Sequence, residues 1–221
     1  MRLYVLCEGQ TEDRFVKEVL APYLLPQNVY ATSIICETKR TAGKKYKGGV
    51  SKYSKIRAEL EILCKGDPTA FVTTMLDYYK LPNDTPSKDA KGDIYNVVTE
   101  IEAAIKANLG GQHNLLANLI VHEFEGLLFS DVSAFNGEAK ADDKTILELA
   151  HIRNCFTTPE HINDSEATAP SKRILKLLPE YSKTLNGIPI AKRIGIEKIA
   201  AECQHFRAWL ENIQALIQED E

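Results

Sequence analysis

The chain has 221 residues and a formal net charge of −4 at pH 7. This length allows one domain of ordinary size with an appended lobe, and a full core without disulfides or structural metal. The acidic balance argues against a protein that coats nucleic acid through bulk charge, but it permits a local basic patch. The five cysteines are scattered, without zinc-ligand spacing, so we expect small buried residues in a reducing compartment.

Several functional classes find no support in the sequence. No apolar run approaches the roughly 18 residues of a membrane helix, and no signal peptide is recognisable, so we expect a cytoplasmic protein without a membrane partner. A phosphate-binding Gly-x-x-x-x-Gly-Lys loop, a dinucleotide fingerprint and a nucleophilic triad are also missing. An ATPase or a redox enzyme on this chain alone is therefore disfavoured.

The first residues predict a buried strand that passes through a tight turn into a helix. The apolar run from Leu3 to Cys7 is typical of such a strand, and Glu8 follows it directly. Gly9 is expected to take backbone angles closed to other residues, which would reverse the chain tightly. Glu8 is thereby presented at the carboxyl end of the strand.

The helix after this turn begins with polar residues. Thr11 is the expected N-cap, and Glu12 and Asp13 lie where the helix dipole favours negative charge. We interpret both acids as residues that start the helix. Glu8 precedes the helix, and for it a functional role is as well supported as a structural one.

Strand and helix patterns then alternate to about residue 130. Apolar runs predict strands over 29–36, 70–76 and 115–121, and helical periodicity predicts helices over 15–24, from Ser51 as a cap to Gly66, and over 93–109. Because the strands are continuously apolar, they predict a mainly parallel sheet with helices on both faces. The fold class is α/β.

Beyond residue 131 the pattern becomes helical. The predicted helices span 146–156, 171–178, 190–203 and 206–217. We therefore divide the chain into an α/β core, 1–130, and a helical C-terminal lobe packed on it, 131–221. Trp209, with Phe206 and Leu210, is expected to anchor the core of this lobe.

Three predicted strands end in an acid: Glu8, Asp77 and Glu123. Ligands of an open α/β sheet bind outside the carboxyl ends of its strands, so these acids share one edge if the strands are parallel neighbours. Crowded carboxylates repel one another, and a bound cation relieves the repulsion. Because the ligands are oxygen atoms, the sequence predicts a site for Mg²⁺ or Mn²⁺, with all three acids as metal ligands and catalytic residues.

Glu125 is a candidate fourth metal ligand. If a helix begins at His122, positions 122 and 125 share one face and both reach the edge of the sheet. Two structural alternatives remain open: His122 as a satisfied core histidine, and Glu125 as a helix-capping residue.

Basic residues that would contact nucleic acid lie in two regions. The segment 39–47 is a lysine- and glycine-rich predicted loop, which either orders on a phosphate backbone or serves as a solvated connector. In the tail, Pro170 begins a helix whose free backbone amides suit an anion. The candidate contacts are Lys39, Arg40, Lys44, Lys172, Arg173 and Lys192.

Two tyrosines directly follow the strand that ends at Asp77. Tyr78 and Tyr79 have the chemistry to stack on a base. Adjacent tyrosines at a strand end more often pack against the next loop, and we adopt that interpretation.

Four motifs taken together resemble the bacterial DUF4276 family, and they span nearly the whole chain. The motifs are Glu8-Gly9-Gln10-Thr11-Glu12, the segment from Thr73 to Pro82 that contains Asp77, His122-Glu123-Phe124-Glu125, and Ala169-Pro170-Ser171-Lys172-Arg173. The glutamate-glycine pair after the first strand, with an aspartate ending a later one, also resembles the Toprim domain of topoisomerases, primases and overcoming-lysogenization-defect nucleases. That resemblance implies a Toprim/Rossmann-like fold.

The Toprim resemblance further implies a glutamate acting as general acid or base beside a metal held by an Asp-x-Asp pair. Glu8 matches the glutamate and Asp77 matches the first aspartate. Tyr79 stands where the second aspartate belongs. Asp84, or the two glutamates after the last strand, would have to supply the missing oxygen.

The expected function is Mg²⁺-dependent hydrolysis of phosphodiester bonds in DNA or RNA, in a setting such as antiphage defence. The alternative is a catalytically degenerate module that binds nucleic acid or a partner protein such as an ATPase. A third option is phosphoryl transfer or hydrolysis on a small nucleotide.

Overall fold

A parallel β-sheet forms the centre of the molecule. The structure is a computed structural model that describes residues 1–41, 44–47, 50–163 and 165–219. Its strands are β1 (Arg2–Cys7), β2 (Tyr30–Ile35), β3 (Glu37–Thr41), β4 (Lys44–Lys47), β5 (Phe71–Asp77), β6 (Leu115–Leu116) and β7 (Leu119–Ile120). Its α-helices are α1 (Gln10–Phe15), α2 (Ala21–Leu24), α3 (Tyr53–Gly66), α4 (Ile94–Asn108), α5 (Asp143–Asn154), α6 (Pro170–Leu177), α7 (Ile188–Ile194), α8 (Ile196–Glu202) and α9 (Gln204–Glu219).

Shorter helical turns join these elements. The 3₁₀ turns are Leu25–Gln27, Tyr78–Lys80, Phe124–Ser130, Val132–Phe135, Pro159–His161 and Glu166–Thr168. A π-helical turn, Val16–Leu20, links α1 to α2, and another, Lys183–Gly187, precedes α7.

The central sheet has the strand order β2-β1-β5-β6, and β7 pairs with β5 farther along the same side. Each of these pairings is parallel, with Cys7 opposite both Ile35 and Met75, and Asp77 opposite Ile120. The carboxyl ends of β1, β5 and β7 therefore meet at one edge of the sheet. The predicted parallel α/β fold is confirmed.

Two hydrophobic layers cover the sheet. On one face, Leu6 and Leu76 pack against the apolar sides of α3 and α4. On the other face, Val5, Cys7 and Met75 pack against the first helical segment and the C-terminal helices. Alternate residues of each strand thus face opposite layers, as the strand pleat requires.

The C-terminal helices contact the sheet directly. Trp209 is buried, as predicted, and its Nε1 donates a hydrogen bond to Thr73 Oγ1 at 2.9 Å. The single helix predicted over 190–203 is wrong: Gly195, at φ +80°, separates α7 from α8. Glycine takes this left-handed conformation without the steric cost that other residues bear.

The strand predicted over 115–121 is divided into β6 and β7. Between them, Asn118 N donates to Thr74 Oγ1 at 2.8 Å, and Thr74 Oγ1 donates to Asn118 O at 2.5 Å. The threonine side chain thereby replaces the backbone ladder at this point, and the two short strands flank it.

Several local predictions at helix starts are wrong. The N-cap of α1 is Gly9, not Thr11. Gly9 has a φ of −153°, which any residue can adopt, so the expectation that it takes backbone angles closed to other residues is wrong. The N-cap of α3 is Lys52, not Ser51, and Asp84 Oδ1 accepts from Tyr53 N at 3.0 Å. A side chain distant in sequence therefore caps α3.

The basic segment predicted as a loop contains the antiparallel hairpin β3–β4. Its strands escaped prediction because they carry charged residues in place of an apolar pattern. Gly43, Gly48 and Gly49, and the side chains of Lys39, Arg40 and Lys44, lie outside the described residues.

The cysteines are free thiols, and four of the five are buried as expected. Cys155 is exposed at the end of α5, so the expectation is wrong for this residue.

Candidate functional site

The structure brings the acids at three strand ends together. Glu8 follows β1, Asp77 ends β5, and Glu123 lies three residues after β7. Lys80 Nζ lies 2.8 Å from Asp77 Oδ2 and 3.7 Å from Glu8 Oε1, which links the first two acids. Phe124 N donates to Asp77 Oδ1 at 3.0 Å, which fixes Asp77 beside the segment that carries Glu123.

Glu12 joins these acids, although sequence reasoning assigned it to the helix start alone. It does cap the turn, since Gly9 N donates to Glu12 Oε2 at 3.0 Å. It is also 5 % exposed, and burial together with the charges of Asp77 and Glu8 raises its pKa to about 8. Asp13 differs, because it pairs with Lys17 at 2.9 Å and accepts from Ser33 Oγ at 2.6 Å.

One sequence signal pointed to Glu12. It lies four residues after Glu8, in the first turn of a helix that starts directly at the strand end. A side chain in that turn is directed back towards the N-terminus of its helix, and so towards Glu8.

Glu8 itself is a buried carboxyl group with a strongly perturbed affinity for protons. Burial is the main cause, and the negative charge of Asp77 adds to it, so the pKa of Glu8 rises to about 7. The ammonium group of Lys80 opposes the shift but does not cancel it. A carboxyl group with this pKa can both accept and donate a proton near neutral pH.

Glu125 is fully buried beside Lys183. Its Oε2 lies 2.7 Å from Lys183 Nζ, whereas its Oε1 has no hydrogen-bond partner among the described residues. Burial raises the pKa of Glu125 to about 7 against the effect of Lys183, and the charges of Asp77 and Glu123 contribute. Lys183 comes from the π-helical turn before α7, a contact that no local sequence pattern indicates.

The helix expected to begin at His122 begins at Phe124, and His122 lies outside it. His122 has φ +61°, a left-handed conformation that is uncommon for residues other than glycine. His122 and Glu125 therefore do not share a helical face.

Glu123 is held by the start of α6. Ser171 N donates to Glu123 Oε2 at 3.1 Å, so one of the backbone amides expected to receive a phosphate meets a carboxylate of the chain itself. This contact places the start of α6 beside Glu123.

The candidate basic contacts in the tail take up separate positions. Lys172 is exposed on α6, and Arg173 Nε donates to Thr168 O at 2.6 Å with its guanidinium over the Phe156 ring. Lys192 Nζ lies 2.6 Å from Glu18 Oε2. The assignment of these residues to nucleic acid stays a prediction.

We call Glu8, Glu12, Asp77, Glu123 and Glu125 the acidic cluster. Two lysines pair with it, Lys80 with Asp77 and Glu8, and Lys183 with Glu125. Burial disfavours the charged form of both lysines and by itself would lower their pKa, but the neighbouring carboxylates outweigh it and raise the pKa of each.

The acidic cluster offers the ligand type that a divalent cation prefers, since its polar atoms are carboxylate oxygens and Glu125 Oε1 is a buried acceptor without a partner among the described residues. In the described parts of the chain, no three His, Cys, Asp or Glu side chains are arranged to hold a metal ion. Lys80 and Lys183 provide the positive charge in this arrangement.

Asp84, the proposed substitute for the second aspartate, accepts a hydrogen bond from Tyr53 N at the start of α3.

A pocket of about 760 Å³ lies against the two chain segments that carry Asp77 and Glu123. Tyr78, Tyr79 and His122 line it, and Tyr79 N donates to His122 O at 3.0 Å. Tyr78 also packs against the following loop, as predicted, because Lys88 Nζ lies 3.7 Å from the centre of its ring. Tyr79 is partly exposed in the pocket wall.

The fold and the site define an α/β protein with a parallel sheet and a buried cluster of carboxylates at the carboxyl ends of its strands. The chain belongs to the DUF4276 family, described as a domain of unknown function, whose model matches residues 7–214. No curated protein and no solved structure matches it. None of the helices within the described residues is long and apolar enough to span a membrane.

Proposed function

We propose that this protein hydrolyses phosphodiester bonds of DNA or RNA with the aid of Mg²⁺ or Mn²⁺. The observation that carries the proposal is the convergence of Glu8, Asp77 and Glu123 at neighbouring strand ends, where open α/β sheets bind their ligands. The resemblance of Glu8-Gly9 and Asp77 to the Toprim motifs supports the same chemistry.

The roles of the acids follow from their surroundings. Asp77 and Glu123 would hold the divalent ion, and Glu125 would add a further oxygen ligand, which leaves Glu8 free to exchange a proton. When bound, such an ion acts as a Lewis acid that polarises the phosphate and neutralises the charge developing on it. Both Asp77 and Glu123 already accept one backbone hydrogen bond, which fixes the orientation of each carboxylate.

Glu8 is the group that handles the proton. The oxygen of a water molecule forms the new bond to phosphorus while the bond from phosphorus to the leaving oxygen breaks. Glu8 accepts the proton of that water, and the leaving oxygen takes a proton from solvent. The environment of Glu8, buried beside Asp77, suits a general base near neutral pH.

Lys80 and Lys183 would bind the substrate phosphate. Lys80 is 43 % exposed although its ammonium group reaches Asp77, so it can change partners without unfolding any element. A phosphodiester entering the site brings its own negative charge, and both ammonium groups can donate hydrogen bonds to it.

The test is a cleavage assay with single-stranded and double-stranded DNA and RNA in Mg²⁺, in Mn²⁺ and in EDTA. We expect cleavage only with metal, and a loss of about 100-fold or more in Glu8→Gln, Asp77→Asn and Glu123→Gln. Glu100→Gln, a change of an exposed residue on α4, is the matched control and should cleave like the unmodified protein. Undiminished cleavage by Glu8→Gln and Asp77→Asn would contradict the proposal.

A second candidate function is a binding module without catalysis. It is favoured by the ion pairs of Lys80 with Asp77 and Glu8, which satisfy these acids without metal, and by Tyr79 at the second aspartate position. Calorimetric titration with Mg²⁺ and Mn²⁺ separates the two functions. Heat of binding that disappears in Asp77→Asn supports the hydrolase, and its absence in the unmodified protein supports the module.

A further inference from the structure

The pocket beside the acidic cluster is built largely from aromatic rings. Its volume of about 760 Å³ lies within the range of pockets that hold small molecules or cofactors. Tyr78, Tyr79, His122, Phe156 and His161 contribute rings to its lining. The centre of the His122 ring lies 6.2 Å from that of Tyr78 and 6.1 Å from that of Tyr79.

The same two chain segments build the pocket and the acidic cluster. Tyr78 directly follows Asp77, and His122 directly precedes Glu123. The hydrogen bond from Tyr79 N to His122 O joins these segments on the pocket side, and the one from Phe124 N to Asp77 Oδ1 joins them on the cluster side. A ligand in the pocket therefore contacts the two segments that carry Asp77 and Glu123, although none of the five carboxylates lines the pocket.

The polar groups of the pocket suit a neutral heterocycle better than an anion. Asn163 lines the pocket; its Nδ2 lies 3.3 Å from His122 Nδ1, and its Oδ1 is buried with no hydrogen-bond partner among the described residues. A phosphate requires several donors or cations, whereas the lining offers the ammonium of Lys88 and also the carboxylate of Asp93. An amide beside flat aromatic surfaces can pair with the edge of a base while the rings stack on its face.

We propose that this pocket binds one unstacked nucleobase of the strand whose phosphodiester lies at the acidic cluster. This inference rests on the proposed function and narrows its substrate to nucleic acid in which a base is free to leave the helix, such as a single strand or a loop. Tyr79 stacks on the base, and Asn163 contacts its edge.

The experiment measures binding of fluorescently labelled single-stranded oligonucleotides by anisotropy in Mg²⁺. The protein carries Glu8→Gln, which removes the proposed general base and keeps Asp77, so that cleavage does not consume the probe. Each nucleotide of the oligonucleotide is replaced in turn by an abasic residue. We expect one abasic position to weaken binding about 10-fold, in the range of a single base–aromatic stack.

Substitution of Tyr79, combined with the abasic positions, gives a double-mutant cycle between the pocket and the base. Tyr79→Ala should weaken binding of the intact oligonucleotide about 10-fold, and it should add little to the effect of the sensitive abasic position. Tyr79→Phe keeps the ring and should retain most of the affinity. Tyr30→Ala removes an exposed tyrosine at the start of β2 and serves as the matched control.

The outcomes separate this inference from the function on which it rests. If the unmodified protein cleaves nucleic acid but Tyr79→Ala and every abasic position bind normally, the base pocket is wrong and the hydrolase stands. If binding depends on Tyr79 and on one base but no cleavage occurs, the pocket stands and hydrolysis is wrong. If mononucleotides bind through Tyr79 and oligonucleotides do not, or if neither binds, the inference is overturned.

Discussion

Glu160 and the acidic cluster are both buried, but their carboxylates differ in the number of donors they meet. Glu160 is 3 % exposed and accepts hydrogen bonds from His205 N at 2.9 Å, Phe206 N at 3.0 Å and the Tyr95 hydroxyl at 3.0 Å. Two of these donors are amides at the start of α9. One carboxylate with three donors is a satisfied structural group.

The acidic cluster has fewer donors for each carboxylate than Glu160 has. Its five carboxylates share two ammonium groups and three backbone amides, those of Gly9, Phe124 and Ser171, and Glu125 Oε1 has no partner among the described residues. Burial raises the pKa of three of these acids, Glu8, Glu12 and Glu125, and neighbouring carboxylates add to each shift. Crowding of acids with few donors thus distinguishes the acidic cluster from Glu160, and acids perturbed in this way are candidates for a functional site.

The largest effect is expected from removing the structural acid. Glu160→Ala leaves two amides at the start of α9 without their acceptor and removes one partner of the Tyr95 hydroxyl, so it should lower the free energy of unfolding by about 3 kcal/mol. Urea denaturation measures this loss. Glu100→Ala, at an exposed position of α4, should change stability by less than about 0.5 kcal/mol. Equal stability of the two variants would contradict the structural role of Glu160.

The next effect depends on pH and concerns Glu12. Its pKa is about 8 in the folded protein against 4.5 as its ordinary value, so the folded protein holds a proton that the unfolded chain releases. Ionisation of Glu12 therefore destabilises the fold as pH rises from 4.5 through 8. Glu12→Gln keeps the acceptor for Gly9 N but cannot ionise.

We expect Glu12→Gln to gain on the order of 2 kcal/mol relative to the unmodified protein between pH 5 and pH 8. The measurement is urea denaturation in EDTA at both pH values. Glu100→Gln is the control and should show no such gain. A Glu12→Gln advantage that shrinks as pH rises would refute the assignment of Glu12 to the acidic cluster.

A somewhat smaller effect is expected at the buried pair of Glu125 and Lys183. Lys183→Met leaves Glu125 without its cation, and protonation of Glu125 limits the loss of stability to about 1.5 kcal/mol at pH 7. The double variant Lys183→Met/Glu125→Gln should recover most of the loss. A double variant as unstable as the single one would show that the packing of Lys183 matters more than its charge.

The smallest effect is expected from metal. If the acidic cluster binds Mg²⁺ in the folded state only, a concentration ten times the dissociation constant stabilises the fold by about 1.4 kcal/mol. Thermal denaturation with and without Mg²⁺ measures this shift, which should vanish in Asp77→Asn. An equal shift in both proteins would place the ion elsewhere.

The strands and the convergence of their terminal acids could be predicted because both leave a local pattern. An apolar run that stops at a carboxylate identifies Glu8 and Asp77, and parallel pairing then brings them together. Glu12 was missed because its position in the first turn of a helix is explained equally well by helix capping, and only the fold shows that its carboxylate is buried. Lys183 escaped because its contact with Glu125 spans 58 residues and depends on tertiary packing.

The divided strand beside β5 also affects how the protein behaves towards other copies of itself. An uninterrupted edge strand offers a row of free backbone groups on which a foreign chain can assemble. Here the Thr74–Asn118 hydrogen bonds leave only two-residue pairings at that margin. Such short pairings are a poor template for intermolecular β-sheet at that margin.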